Sequence, residues 1–140
     1  MDVDTRDRVI LKVLRSWNLN WALTRALRVR LPERVVIVTG CYNSGTTLLQ
    51  RILQSHPALC GIPPRVEGDV LVKEFKKAED FGWRRMWHRC ADGVRRAGCR
   101  PDMAKSALKQ WRWWVDPRRG FVEKSVCDML RLDFFRQSFA

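Results

Sequence analysis

Gly40 and Gly45 enclose Cys41-Tyr42-Asn43-Ser44, and Thr46 and Thr47 follow at once. Glycines at this spacing let successive backbone amides converge on one point. A helix starting behind them adds free N–H groups and the positive end of its dipole. Ser44, Thr46 and Thr47 supply hydroxyl donors, so the stretch has the chemistry to hold an anion. The spacing is the Gly-x4-Gly of a phosphate-binding loop, but Thr46 stands where such a loop carries the lysine that neutralises a β/γ-phosphate pair and shares the work of Mg²⁺. A 5′-phosphate joined to something other than a second phosphate suits it better. Taken alone, glycines and hydroxyls at such a junction are also ordinary turn and N-cap chemistry.

The surrounding elements favour the anion. Residues 35–39 form a short β-branched apolar run between Pro32 and Gly40, the pattern of a buried strand in a parallel sheet. From Thr46 the positions Leu48, Leu49, Ile52 and Leu53 have helical period, and His56-Pro57 closes the helix. Upstream, Ile10, Val13, Leu14, Trp17, Trp21 and Leu27 predict a basic amphipathic helical segment over residues 1–31. Such a helix either packs its stripe on the domain or lies on an anionic membrane surface. Downstream, residues 69–98 read as two helical pieces broken near Phe81-Gly82, and a third helix runs from about 102 to 114. "VDPRRG" is a loop, "FVEKSV" (121–126) a second buried strand, and 129–139 a closing helix packed through Met129, Leu130, Leu132, Phe135 and Phe139.

The 140 residues make one domain, 46% hydrophobic and 30% charged, without repeats or low-complexity tracts, which argues for a globular chain. A net charge of +12 predicts attraction to anions. Much of the excess lies between Phe81 and Gly120, where Arg and Lys interleave with Trp83, Trp87, Trp111, Trp113 and Trp114. The pattern has three readings: solvated faces of amphipathic helices with tryptophans in the core, an anionic substrate or membrane surface, or base stacking in a nucleic-acid site. The first is preferred, and no nucleic acid is expected. Five scattered cysteines, Cys41, Cys60, Cys90, Cys99 and Cys127, form no CxxC pair and argue against a metal site or a disulfide framework. No apolar run approaches a membrane span, and the acidic N-terminus lacks a leader's apolar core, so a reducing cytoplasm is the expected compartment.

At "NSGTTLLQRILQSHP" (43–57) the chain resembles the sulfotransferases that use 3′-phosphoadenosine 5′-phosphosulfate (PAPS), most closely the bacterial and tyrosylprotein branches, in which [R/K/N]-S-G-T-T-L-L-x-x-L-L-x-x-H-P recurs. "FVEKSV" resembles that family's later strand, commonly ending E-K-[ST]-P. The resemblance implies an α/β fold of the P-loop nucleoside triphosphate hydrolase type, with a parallel sheet flanked by helices, over residues 32–140. It implies PAPS as co-substrate, no metal, and transfer of a sulfuryl group to a hydroxyl or amine acceptor that is itself anionic or neutral. Asn43, Ser44, Gly45, Thr46 and Thr47 would hold the donor. Asn43 stands where many members have Arg or Lys and brings no charge.

Two residues would carry the chemistry by the same resemblance. Glu67, the nearest carboxylate after the His-Pro pair, is the candidate base, against a solvated loop glutamate or a partner of Arg65. Lys124 would reach the transferred group, against a structural ion pair with Glu123. His56 matches the family's histidine in a packing and capping role. The family continues beyond a helix like 129–139 with a strand and an Arg-Asp turn that bind the 3′-phosphate. The expectation is therefore an N-terminal half, an incomplete sheet whose open edge favours self-association, and transfer that is weak or absent. The alternative is a non-catalytic fragment that binds anions or nucleotides, or acts through its basic surface. A nucleotide hydrolase is disfavoured by Thr46 and by the lack of an aspartate closing an apolar strand.

Overall fold

The computed structural model describes residues 5, 9, 10, 12, 32–72, 74–83, 86–97 and 101–139. The helix expected over residues 1–31 lies outside them apart from isolated positions.

Three parallel strands form the sheet: β1 (Val35–Val38), β2 (Leu59–Gly61) and β3 (Gly120–Lys124), in the order β1-β3-β2. Val35 pairs with Phe121 and Val38 with Lys124, while Leu59 pairs with Gly120 and Gly61 with Val122. As the middle strand, β3 is covered on both faces and is the most buried of the three. That is why it reads as an apolar run, and why its two charged residues need partners. The chain is thus α/β, with a small parallel sheet flanked by helices. No helix among the described residues is long and apolar enough to cross a membrane.

Helix α1 (Thr46–Ser55) follows β1; α2 (Ala91–Arg96) and α3 (Pro101–Trp111) precede β3, and α4 (Leu132–Phe139) follows it. The strand expected at 35–39 is observed one residue shorter and the one expected at 121–126 runs from 120 to 124, and α3 with its 3-10 extension Arg112–Trp114 covers the stretch expected at 102–114. The closing helix begins as a 3-10 turn, Val126–Arg131, before α4. The strand β2 was not anticipated: three residues carry no periodicity, and it exists through its pairing with β3.

Residues 69–98 correct the sequence reading. In place of two helical pieces the chain makes 3-10 turns at Gly68–Leu71, Ala78–Phe81 and Trp87–Cys90, then the short α2. Leu71, Val72, Phe75 and Ala78 are buried at a spacing that mimics a helix. The competing partner is β3: the amides of Gly68 and Asp69 donate to the Glu123 carboxyl and the Ser125 hydroxyl, which draws the chain along the strand's end. The break at Gly82 is present, with φ of 77°.

An aromatic layer covers one face of the sheet. Trp111 stacks on Phe121 at 5.6 Å, and Phe75 meets Trp111, Phe134 and Phe135 edge-on. Each such side chain contributes about 1.5–3 kcal/mol by burial. Among the described residues Trp111 is thus a core tryptophan, whereas Trp113 and Trp114 are half-buried and Trp83 is exposed. On the other face α1 is turned against expectation. Its Leu48, Leu49 and Ile52 face solvent, and its buried residue is Gln50. Gln50 and Gln54 both donate to the Ile62 carbonyl, at 2.9 and 2.8 Å, and these bonds set the helix's rotation.

Candidate functional site

The loop 39–45 runs from the carboxyl end of β1 into α1. Thr39 Oγ1 donates to the Val126 carbonyl at 3.2 Å and joins this loop to the end of β3. Asn43 and Gly45 both take left-handed backbone, φ 61° and 83°. Asparagine and glycine are the residues that accept this most readily, and the two reversals aim the chain into the helix. At Gly40 an added Cβ would lie 2.9 Å from Ser44 Oγ and 3.1 Å from Thr46 Cγ2. The turn closes tightly because that position carries no side chain.

The helix end is open for an anion. Among the described residues no side chain caps α1, its first turn carries no acidic residue, and the Leu49 amide makes the first helical bond back to Gly45 O at 2.9 Å. The preceding amides of that turn therefore have no helical acceptor, the usual condition of a helix start.

In front of them lies a cleft of about 540 Å³, walled by Asn43, Gly45, Thr46 and Thr47 on the loop side and by Glu67, Lys124 and Val126 opposite. The structure thus brings together six of the seven residues proposed from the sequence. Ser44 is the exception: its hydroxyl donates back to the Cys41 carbonyl and closes the turn instead of facing the cleft. His56 lies elsewhere, as the exposed C-cap of α1, where its Nδ1 accepts the Ala58 amide at 3.1 Å.

On the wall opposite the loop Lys124 and Glu67 are paired at 3.2 Å, with the lysine side chain 5% and the glutamate 26% exposed. Lys124 pairs with Glu67 and not with Glu123, and Glu67 pairs with Lys124 and not with Arg65, so the two form an ion pair with each other. Alternation along β3 explains the first point, since neighbouring strand residues point to opposite faces.

What positions Glu67 is the far side of the same strand. Glu123 is fully buried, and its Oε1 accepts the Gly68 amide at 3.0 Å and the Ser125 hydroxyl. Ser125 Oγ accepts the Asp69 amide at 2.9 Å, and the Trp111 indole donates to Gly68 O at 2.9 Å. At Gly68 an added Cβ would fall 2.3 Å from Glu123 Oε1, so the approach requires glycine. Burial, reinforced by Asp128, pushes Glu123 well above the ordinary carboxylate range. That favours the protonated acid. Beneath it Arg131 Nη1 meets Asp128 Oδ1 at 2.7 Å and Asp69 Oδ2 at 3.9 Å, and Arg131 also donates to the Lys76 carbonyl. Burial and then Asp128 push Asp69 up to about 7.

Sequence reasoning missed two polar residues lining the cleft. Arg51 stands one helical turn after Thr47 on α1, and that i,i+4 spacing was the signal for it. It returns to the site a positive charge that Thr46 does not supply. Tyr42 lies at the cleft's edge, where burial and then the Glu67 carboxylate push its phenol up to about 12. The phenol therefore stays protonated across the neutral range. The arrangement as a whole offers backbone amides and hydroxyls to an oxyanion, two cations at its flanks, and one carboxylate within reach of the nearer cation.

No family model, curated protein or solved structure matches this chain.

Proposed function

We propose that the chain is a sulfotransferase-like protein of the P-loop type, which takes the 5′-phosphosulfate of PAPS at the amino end of α1. One observation carries the reading: the loop leaving β1 and Lys124 closing β3 converge on a single cleft with an uncapped helix start. The amides and the hydroxyls of Thr46 and Thr47 hold the phosphosulfate oxygens, and Arg51 and Lys124 offset their charge. An acceptor oxygen or nitrogen attacks sulfur in line. The new bond to sulfur forms as the bond to the 5′-phosphate oxygen breaks, and the acceptor's proton passes to Glu67. The leaving group is 3′,5′-bisphosphoadenosine. Catalysis of this kind rests on positioning and on preorganised charge.

The Glu67–Lys124 pair favours a second reading, anion or nucleotide binding without transfer. A carboxylate held by a lysine is a poorer base, and the pair must part before Glu67 can take a proton.

Thermal unfolding tests the donor. 3′,5′-Bisphosphoadenosine and adenosine 5′-phosphosulfate should each raise the melting temperature, by an amount equivalent to about 2.7 kcal/mol at a hundred times the dissociation constant. The double variant Thr46→Val, Thr47→Val should remove the shift. Stabilisation by ATP with Mg²⁺ in preference to either adenylate would overturn the reading. A shift with no sulfate transferred from labelled donor to simple hydroxyl or amine acceptors would select binding alone.

A further inference from the structure

At the opposite end of the sheet, where the strands begin, lies a second cavity of about 450 Å³, lined by Glu33, Arg34, His56, Leu59, Arg118 and Arg119, among others. It shares no residue with the cleft at the carboxyl ends, and nothing in sulfuryl transfer uses it.

Its arginines are held by the backbone of the sheet. The Phe121 amide donates to Arg34 O at 2.9 Å, and the Gly120 amide to Ala58 O at 2.9 Å. The turn before β3 is closed by Asp116, whose carboxylate accepts the Arg118 amide at 3.0 Å while its carbonyl accepts the Arg119 amide at 3.0 Å. Arg119 is clamped further by donating to the Leu59 carbonyl. Its Nε is buried and has no acceptor among the described residues.

Among the described residues Arg34, Arg118 and Arg119 form no ion pair, and Glu33 is the one acidic residue in the lining. His56 adds a donor, because Nδ1 accepts the Ala58 amide and the neutral ring then carries its proton on Nε2. Guanidinium groups match tetrahedral oxyanions through paired N–H bonds, and they hold them better than ammonium groups do. Leu59, Ala58 and Pro117 give the cavity an apolar wall beside these donors. Its volume falls in the ordinary range for a small ligand.

We infer that this amino-end cavity is a second anion site, which takes a compact phosphate or sulfate monoester such as a sugar ester, with the ester on the arginines and the ring on the Leu59 wall.

Amide NMR titration of the full chain tests it, with glucose 6-phosphate, glucose 6-sulfate, inorganic phosphate and glucose as probes. Saturable shifts are expected at Arg34, Arg118, Arg119 and Gly120 with both sugar esters, with weaker binding of inorganic phosphate and none of glucose. Arg34→Gln and Arg118→Gln, both exposed positions, should each weaken the esters about tenfold while leaving the melting temperature unchanged. Inorganic phosphate binding as tightly as the esters would remove the ring from the proposal. Shifts that fail to saturate, that chloride reproduces, or that fall on residues 43–48 instead would overturn it.

Discussion

On one face of the sheet Phe121 lies stacked under Trp111, and Val35 and Ile37 pack into the same aromatic layer. On the other, α1 sets two glutamines against the Ile62 carbonyl and turns Leu48, Leu49 and Ile52 to solvent. Consecutive residues of β3 divide between the two sides. Glu123 ties the 67–69 segment to the strand and to Trp111's layer, and Lys124 enters the cleft beside α1. The difference teaches a division of labour. The aromatic face supplies the large buried rings and fixes where Glu67 stands, while the α1 face buries the smaller Val38, Val122 and Gln50 and presents the amides and cations of the site.

The largest contrast should appear in stability. Trp111→Ala removes a fully buried ring from Phe121 and Phe75 and leaves Gly68 O without its indole donor, a loss of about 3–5 kcal/mol. Leu48→Ala on α1, an exposed position, should cost no more than about 0.5 kcal/mol. Urea unfolding of the two variants measures both, and equal losses would break the comparison.

A smaller effect separates the two sides of β3. Glu123→Leu leaves the Gly68 amide and the Ser125 hydroxyl without an acceptor and should cost about 1–3 kcal/mol. Glu123→Gln keeps a neutral acceptor of the same length and should retain most of that stability. A glutamine variant as unstable as the leucine one would mean that Glu123 acts as a charge and not as a neutral acid.

The half of the fold that carries the candidate cleft was more legible than the half that supports it. Gly40, Gly45 and the Thr-Thr pair declare a strand, turn and helix locally, because φ preferences and apolar period act within a few residues. Lys124 was legible as the end of a short apolar run. The 68–81 segment was not, since its amides are taken by Glu123 and Ser125, more than fifty residues away. The rotation of α1 was equally hidden. Its apolar period is real, but Gln50 and Gln54 find a carbonyl at Ile62 that no pattern within the helix announces.

The buried carboxyls give the aromatic side a pH dependence that α1, with no acidic residue in its first turn, does not share. Asp69 rises from 3.8 to about 7 on folding, and Glu123 and Asp128 are also raised. The folded state therefore binds more protons than the unfolded chain between roughly pH 4 and 7, and the stability this provides is lost as pH rises through the folded value. Arg131 opposes the shift on Asp69 and Asp128 without reversing it. The melting temperature should fall between about pH 5 and pH 8, and Asp69→Asn should flatten the slope. A melting temperature that climbs over that range would show the carboxyls ionised throughout.

The smallest effect concerns the exposed stripe of α1. Leu48 and Ile52 are 63% and 58% exposed, so little transfer energy is at stake on folding. Ile52→Lys should change stability by no more than about 0.5 kcal/mol in either direction. It removes an apolar group from the stripe and adds a charge at the helix's middle, away from the uncapped end, so solubility at high salt should improve while bisphosphoadenosine binding is retained. Urea unfolding and light scattering read the two properties separately. A loss of a few kcal/mol would mean that this stripe is covered in the full chain, and the division between a stabilising face and a presenting face would fail on the α1 side.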